Sequence, residues 1–349
     1  MKFEKVQQLL KDKNVDALVI LSPHNRRYLS MFTGSSGSLL ITKNQNYLIT
    51  DFRYIEQATK QAKGFEIINE RNISIALKQL CEKHQIKSLG FEGDLITFHQ
   101  YTALKDIAEL VDVAGEIEKI RMIKEPFEIE LIQKAADIAD ETYAFIQTIV
   151  KPGVSEMHIN HLMEMKMREL GATGSSFDTI VASGVRGALP HGVASDKIIE
   201  SGDMITFDYG AIYNGYVSDI TRTLAVGNPK DEMIKIYNIV LESQMTALNT
   251  IKKGMTGGQA DKISRDVIAS YGYGEAFGHS LGHGIGLEVH EGPMLHSKSE
   301  TILEENMCIT LEPGIYIEGL GGVRIEDDCL VTENGLKRFT QSTKDLIIL

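Results

Sequence analysis

The sequence predicts an α/β domain followed by an α+β domain with a mostly antiparallel sheet. In residues 1 to about 112, short β-like runs such as "DALVILS" and "SLGFE" alternate with amphipathic helical patterns, which is typical of an α/β domain. From about residue 177 onward, strands and glycine-rich turns dominate, interrupted by helical patterns near 231–252 and 258–271. The 349 residues are enough for two domains.

The first domain is predicted from β-like runs and helical patterns that follow each other along the chain. The β-like runs are "DALVILS", "SLLIT", "NYLITD", "FEII" and "SLGFE", and the helical patterns lie near residues 2–12, 53–63, 73–84 and 97–110. The stretch "VDVAGEIEKIRMIKEP" that follows combines a glycine, many charges and Pro126, which predicts an exposed connector followed by a helix that starts at the proline. We therefore predict domains at residues 1–118 and 119–349.

The second domain is predicted to begin with two helices. Apolar residues recur at three- and four-residue intervals from Ile129 to Ile146, and Pro152 and Gly153 end this pattern. A second helix is expected over about residues 155–170, before Gly171.

Composition excludes several classes of function and location. A formal net charge of -12 without a basic cluster disfavours nucleic acid and anionic membrane surfaces as partners. The amino terminus lacks the apolar segment of a signal peptide, and no apolar run is long enough to span a membrane. Three widely spaced cysteines argue against a disulfide framework, so we expect a cytoplasmic protein.

The stretch "MITFDYGAIYNGYVSDITRT" predicts a hairpin with a carboxylate in each arm. Asn214-Gly215 is a strong signal for a two-residue turn, and counting outward from it pairs Asp208 with Thr221. Asp208 and Asp219 then emerge on one face, roughly 5 to 8 Å apart. They are either solvated aspartates or, if partly buried, a pair that needs a positive partner between them.

The positive partner is predicted to be a metal ion in preference to an arginine. Arg222 is close in sequence, but it lies three residues past Asp219 and therefore points to the opposite face. Further carboxylates and imidazoles occur downstream, which favours a metal.

Downstream candidates lie in two segments. "FGHSLGHGIGLEVHEGP" places His279, His283 and His290 in what we expect to be a glycine-dense loop, where Glu291 is most simply a loop carboxylate. "ITLEPGIYIEGLGGVRIEDD" ends one apolar strand at Glu312. Its second strand carries Arg324 and Glu326 on one face and turns Asp327 to the other; the alternative is an ordinary charged strand end.

Four carboxylates and one imidazole together form a candidate metal site: Asp208, Asp219, His283, Glu312 and Glu326. This oxygen-rich set suits two divalent ions, manganese or cobalt before zinc, and lacks the thiolates of structural zinc sites. Two ions roughly 3.5 to 4 Å apart can share a bridging hydroxide that attacks a polarised carbonyl. The predicted chemistry is hydrolysis.

These residues resemble the "pita-bread" metallopeptidases of family M24, which include aminopeptidase P, prolidase and methionine aminopeptidase. The resemblance spans most of the chain: an Asp, a second Asp eleven residues later, then "GHGIG", "LEPG" and "VRIED" match the family's dimetal ligands one by one. "NRRYLSMFTG" and "TDFRY" resemble the creatinase-type amino-terminal domain of aminopeptidase P and prolidase. The resemblance thus implies a creatinase-type α/β domain followed by a pita-bread catalytic domain.

The resemblance also implies roles for individual residues. His191 in "LPHG" and His290 in "EVHEGP" match two active-site histidines that assist substrate binding and proton transfer. Glu312 matches the ligand that also acts as general base. His279 resembles a substrate-pocket residue, and Arg324 a carboxylate-contacting or supporting residue. A homodimer is implied by the resemblance alone.

The implied activity is hydrolysis of the Xaa-Pro bond in short peptides, with Mn2+ as the expected metal. An Xaa-Pro bond is a tertiary amide with a fixed ring, and it requires a dedicated pocket. We favour aminopeptidase P-like cleavage of peptides, with prolidase-type cleavage of dipeptides as the alternative. A non-catalytic binding protein and a metal-free, creatinase-like amidinohydrolase are further alternatives, and the complete ligand set counts against both.

Overall fold

The structure, a computed structural model, describes residues 2–349. Contacts within the chain divide it into two compact units, of which the first ends at Arg121 and the second comprises Met122–Leu349. Among the described helices, none combines the length and the hydropathy that crossing a membrane requires.

The first unit contains a six-stranded mixed sheet with helices between its strands. Its helices are α1 (Lys2–Asp12), α2 (Pro23–Ser30), α3 (Ile55–Gln61), α4 (Ile73–His84), α5 (Phe98–Lys105) and α6 (Glu116–Arg121). Its strands are β1 (Ala17–Ile20), β2 (Ser38–Thr42), β3 (Asn46–Thr50), β4 (Glu66–Asn69), β5 (Ser88–Phe91) and β6 (Glu109–Asp112). The strand order is β4-β3-β2-β1-β5-β6, with β2 antiparallel to both of its neighbours. This architecture confirms the predicted α/β class.

Two local predictions for the first unit are wrong, and one helix was missed. Helix α2 was not predicted, although Ser22 caps it and Pro23 occupies its first turn, because its buried face includes polar residues. The helical pattern predicted over 97–110 ends at Lys105 and is followed by β6. The predicted exposed connector contains α6, in which Ile117 and Arg121 are buried.

The second unit contains four long helices and several small antiparallel sheets. Its helices are α7 (Pro126–Ile149), α8 (Glu156–Glu169), α9 (Asp231–Thr250) and α10 (Gly257–Ser270). The strands before α9 are β7 (Gly174–Ser175), β8 (Ile180–Ser183), β9 (Met204–Tyr209), β10 (Ala211–Tyr213), β11 (Tyr216–Val217) and β12 (Ile220–Ala225). The strands after α10 are β13 (Gly282–Gly284), β14 (Glu291–Leu295), β15 (Cys308–Leu311), β16 (Gly314–Ile317), β17 (Gly321–Arg324), β18 (Asp327–Thr332) and β19 (Gly335–Arg338).

The ladders between these named strands are all antiparallel, as predicted. Strands β12-β9-β8 form one sheet and β14-β13-β15-β18-β19 the largest, while β11-β10-β7 and β16-β17 are smaller. The predicted helices of this unit are confirmed, with ends that lie within two residues of the predicted ones.

The hairpin around Asn214 and Gly215 has the predicted register. The φ angles of these two residues are 45° and 76°, so both have the positive values that a type I′ turn needs. Tyr213 pairs with Tyr216, and Asp208 pairs with Thr221, although β10 and β11 separate from β9 and β12 at Gly210.

Alternation of side chains along β9 separates the hydrophobic core from a polar face. Ile205, Phe207 and Tyr209 belong to a core cluster that also contains residues of α7 and α8. Because successive side chains of a strand point to opposite faces, Thr206 and Asp208 point away from those helices. Strand β12 repeats this arrangement, with Ile220 and Leu224 in the same core.

Gly210, between β9 and β10, permits the two arms of the hairpin to approach each other closely. A Cβ atom at this position would lie 1.7 Å from the carbonyl oxygen of Ser218 and 2.3 Å from Oγ of Ser176. Both distances are shorter than any non-bonded contact, so a side chain at this position would force the two arms apart.

We predict that Gly210→Ala lowers the free energy of unfolding by about 1–3 kcal/mol or more, as overpacking does. Urea denaturation of the metal-free protein measures this change. Gly278→Ala is the matched control, since its added Cβ would meet no atom within 4 Å. Equal stability of the two variants would contradict the close approach at Gly210.

Candidate active site

A cavity of about 520 Å3 in the second unit gathers the predicted site residues. Its walls combine carboxylates, imidazoles and apolar side chains, a composition suited to orienting a small ligand. The lining residues are Phe177, Asp178, Ile180, Pro190, His191, Val193, Asp208, Asp219, His279, Ser280, His283, Val289, His290, Met294, Glu312, Arg324 and Glu326.

The five predicted metal ligands come from five places along the sheets. Asp208 lies near the end of β9, and Asp219 directly precedes β12. His283 is the middle residue of β13, Glu312 follows β15, and Glu326 lies between β17 and β18. Alternation of side chains explains why Glu326 faces the cavity, because Val323 and Ile325 point the other way and pack in the core with α9.

Three of the five residues are close enough to share one cation. Asp219, His283 and Glu326 each offer a ligand atom, and these atoms lie within 4.8 Å of one another. Glu312 adjoins this group, since its Oε1 is 3.4 Å from Nε2 of His283. Asp208 is held differently, because its Oδ2 accepts a hydrogen bond from the guanidinium of Arg324.

Three buried carboxylate oxygens in this cavity have no hydrogen-bond partner. They are Oδ1 of Asp208, Oδ1 of Asp219 and Oε1 of Glu326. A buried anion without a partner is costly, and such oxygens are the donors that divalent cations bind. Oδ1 of Asp328 also lacks a partner, but that side chain is outside the cavity lining and accepts the backbone N–H of Asp219.

The pKa shifts follow from this crowding of buried anions. Burial raises the pKa of Asp219 well above its ordinary value, and the nearby Glu326 and Asp208 raise it further. Burial, with Glu312 and Asp208 nearby, likewise raises the pKa of Glu326. For Glu312, burial raises the pKa to about 8 although Arg324 opposes the shift. A cation at the centre would favour the charged forms of all three.

Arg324 is surrounded by protein acceptors. Besides Asp208, its guanidinium donates to Oη of Tyr316 at 2.6 Å, to Oγ1 of Thr221 at 3.1 Å and to the carbonyl of Pro190 at 3.3 Å. The same Thr221 hydroxyl donates to Oε2 of Glu326 at 2.6 Å. Arg324 therefore holds the carboxylate face of the cavity together.

The three remaining histidines occupy different positions around the cavity. His191 and His290 are exposed, and the His290 ring lies 4.4 Å from the His283 ring between centroids. His279 is partly buried, and its Nε2 lies 2.8 Å from Oη of Tyr316. Burial lowers the pKa of His279, and that of His283, to about 4, so both imidazoles are neutral at pH 7.

Two family models match the chain. Residues 130–333 match the model of metallopeptidase family M24, and residues 2–123 match the creatinase/prolidase amino-terminal domain. The chain belongs to metallopeptidase family M24.

Relatives of this M24 chain are similar along nearly their whole length. It is 50% identical to a solved Xaa-Pro dipeptidase from Bacillus anthracis, with a TM-score of 0.98 and coverage of 100% and 99% of the two chains. It is 41% identical to an Xaa-Pro dipeptidase from Pyrococcus furiosus, over 99% of both proteins. A solved X-Pro aminopeptidase from Thermotoga maritima is 39% identical, with a TM-score of 0.91 and coverage of 96% and 98%.

Two expectations about the histidine segment of this M24 chain are wrong. The glycine-dense segment is not all loop, because residues 282–284 form β13. The glycines there permit close strand packing: a Cβ at Gly282 would lie 2.1 Å from the carbonyl of Thr310. Glu291 is not a loop carboxylate either, since it begins β14 and forms an ion pair with Lys124, Oε1 to Nζ, at 2.7 Å.

Tyr316 and Thr221 are site residues that sequence reasoning missed. Each hydroxyl contacts Arg324, and Tyr316 also contacts His279. A signal existed for Thr221, because the hairpin register places it on the same face as Asp219. For Tyr316 the strand "GIYI" carries no polar neighbour that would have indicated its role.

We predict that Lys124→Met lowers the free energy of unfolding by about 3–5 kcal/mol, because it removes the lysine partner of a buried carboxylate. The side chains of Lys124 and Glu291 are only 1% and 4% exposed, so solvent screens the pair little. Thermal and urea unfolding measure the loss. Lys262→Met, which breaks the exposed pair with Asp266, is the control and should cost about 1 kcal/mol or less. A similar small loss in both variants would contradict the buried pair's role.

Proposed function

We propose that this chain is a divalent-metal-dependent exopeptidase that hydrolyses Xaa-Pro bonds. The observation that carries the proposal is the set of buried carboxylate oxygens without partners on Asp208, Asp219 and Glu326. They share one cavity with His191 and His290, which the family resemblance assigns to the reaction. Relatives named Xaa-Pro dipeptidase and X-Pro aminopeptidase support the choice of bond.

Five residues would hold two divalent ions: Asp208, Asp219, His283, Glu312 and Glu326. When bound, such ions supply a Lewis acid for the carbonyl and lower the pKa of water toward neutrality. The neutral imidazole of His283 fits this role, because a protonated one would be no ligand. Mn2+ remains the metal that we propose, since four of the five ligands are carboxylates.

Proton transfers would be shared between Glu312 and the exposed histidines. The raised pKa of Glu312 makes its carboxylate a stronger base than an ordinary glutamate, which suits it to take a proton from the attacking water. His191 and His290 are exposed, and their imidazoles would contact the substrate and assist the proton transfers around the tetrahedral intermediate, in which the proton taken from water reaches the leaving proline nitrogen.

Recognition of proline would use the apolar part of the cavity. Phe177, Ile180, Val193, Val289 and Met294 offer a surface for the ring of proline. His279 and Arg324 would then lie at the polar end of the bound peptide. Since Arg324 already has four protein acceptors, we propose that it acts mainly by holding Asp208 and Tyr316 in place.

The sequence alone favoured aminopeptidase P-like cleavage, whereas the more similar relatives favour dipeptides. Both the relative from Bacillus anthracis and the one from Pyrococcus furiosus are named Xaa-Pro dipeptidase. We therefore propose dipeptides as the preferred substrates. The Thermotoga maritima protein, named X-Pro aminopeptidase, supports the alternative of longer peptides.

Assembly and location are proposed on separate grounds. The three cysteines are free and buried, which agrees with a reducing, cytoplasmic environment. A homodimer is proposed from the family resemblance, and sedimentation would test it.

We predict that the Mn2+-loaded protein cleaves Ala-Pro with a kcat/KM at least about tenfold above that for Ala-Pro-Ala. A charge-assisted contact to the proline carboxylate is worth about 1.5–3 kcal/mol, so Ala-Pro-NH2 should be slower by about tenfold to a hundredfold. Ala-Ala is the control for proline specificity. Faster cleavage of Ala-Pro-Ala would favour the aminopeptidase, and no cleavage of any prolyl peptide would refute the proposed function.

We predict that Asp219→Asn reduces bound Mn2+ and lowers kcat/KM by about a hundredfold or more, equivalent to about 2.7 kcal/mol of activation free energy. The metal-free variant should be at least as stable as the parent protein, because one repelling charge is removed. Metal analysis, kinetics and thermal unfolding measure these three effects. Asp266→Asn, at an exposed site on α10, is the control. Unchanged metal content in Asp219→Asn would exclude Asp219 as a ligand.

A further inference from the structure

Two loops that carry histidines of the cavity are each anchored to a buried carboxylate on a helix. The His191 loop, residues 184–194, connects β8 with the segment that leads to β9. The His279 loop, residues 277–281, directly precedes β13. Neither carboxylate lines the cavity, and neither belongs to the predicted metal ligands.

Glu156 anchors the His191 loop at both of its ends. Its Oε1 accepts hydrogen bonds from N and Oγ of Ser183, both at 2.8 Å. Its Oε2 accepts from N of Ser195 at 3.1 Å and from Oγ of Ser195 at 2.7 Å. Ser183 and Ser195 are the residues that directly flank the loop, so one carboxylate closes it.

Arg186 connects the same carboxylate to the interior of the loop. Its Nη1 donates to Oε2 of Glu156, and its Nη2 donates to the carbonyl of Val193 at 2.8 Å. Glu156 is completely buried as the first residue of α8, where the helix dipole favours a negative charge. Both oxygens of this carboxylate thus accept hydrogen bonds from the loop and from the two serines that flank it.

Asp261 anchors the His279 loop by a similar arrangement. This completely buried residue of α10 forms two hydrogen bonds with Arg265, both 2.8 Å long. It also accepts from N of Leu281 at 3.0 Å. Arg265 in turn donates to the carbonyls of Phe277 at 2.9 Å and His279 at 2.8 Å.

We propose that Glu156 is a positioning residue for His191 and that Asp261 is a positioning residue for His279. The exposed imidazole of His191 has few local constraints, so the geometry of its loop decides where the ring lies in the cavity. A displacement of about 1 Å in a reacting group can cost about a hundredfold in rate. The kinetic part of this inference rests on the proposed function, whereas the positioning itself does not.

The test uses the metal-free full chain with isotope-labelled histidines, so that it is independent of activity. His191→Ala and His279→Ala assign the two ring resonances. Glu156→Gln should shift or broaden the His191 resonance and leave that of His279 in place, because the one carbonyl oxygen of glutamine cannot accept at both ends of the loop, from the N–H of Ser183 and that of Ser195. Asp261→Asn is the matched control and should have the reverse effect.

A double-mutant cycle connects positioning with catalysis. Glu156→Gln should lower kcat/KM for Ala-Pro by about tenfold to a hundredfold in the parent protein, but by less than about twofold when His191 is already alanine. A general structural role would give the same loss in both backgrounds and would overturn the proposal. Ser195→Ala, which removes one contact and keeps the carboxylate, repeats the comparison if Glu156→Gln does not fold.

The outcomes separate this inference from the proposed function. If Glu156→Gln leaves the His191 resonance unchanged, or shifts the resonances of His191 and His279 alike, the positioning role is refuted whatever the activity. If the parent protein cleaves no prolyl peptide, the proposed function fails, and the histidine spectra still decide whether Glu156 positions His191.

Discussion

Mutual repulsion among carboxylates in one largely buried cavity is the constraint that the rest of the second unit must satisfy. Without a partner, each such anion loses hydration and raises the energy of its neighbours. Arg324 and Thr221 offset part of this cost, because they donate hydrogen bonds to Asp208 and Glu326. Three of the oxygens, Oδ1 of Asp208, Oδ1 of Asp219 and Oε1 of Glu326, have no hydrogen-bond partner, which leaves them available to cations.

Two adjacent residues, Glu326 and Asp327, show how differently the fold can treat neighbouring buried carboxylates. Asp327 is buried but accepts from Arg222 at 2.7 Å and Lys344 at 2.6 Å. The charges of these two partners lower its pKa despite burial. Glu326, one residue earlier, points to the other face and has a raised pKa. Asp327 is therefore neutralised by two cationic side chains, whereas Oε1 of Glu326 lies in the cavity without a hydrogen-bond partner.

Alternation and turn chemistry explain how much was predictable from the sequence. The Asn214-Gly215 turn sets the register of its hairpin, and alternation then separates Asp219 from Arg222, so the carboxylate face followed from local rules. The partners of Glu291 and Glu156 could not be predicted, because each contact joins residues far apart in the chain. Short elements such as β13 were missed, because glycines carry no side-chain pattern. The close packing of its backbone against neighbouring strands, which only the structure reveals, is what defines β13.

The alternating faces of β12 also restrict how this chain can change in length. An insertion of one residue between Asp219 and Arg222 would exchange the two faces of the strand beyond the insertion. The guanidinium would then point toward the cavity, and the threonine hydroxyls would point toward α7 and α8. An insertion of two residues would preserve the faces but shift the pairing with β9. Tolerance to insertions and deletions is therefore expected in the loops and helix ends of the second unit, while its site-bearing strands keep a constant length.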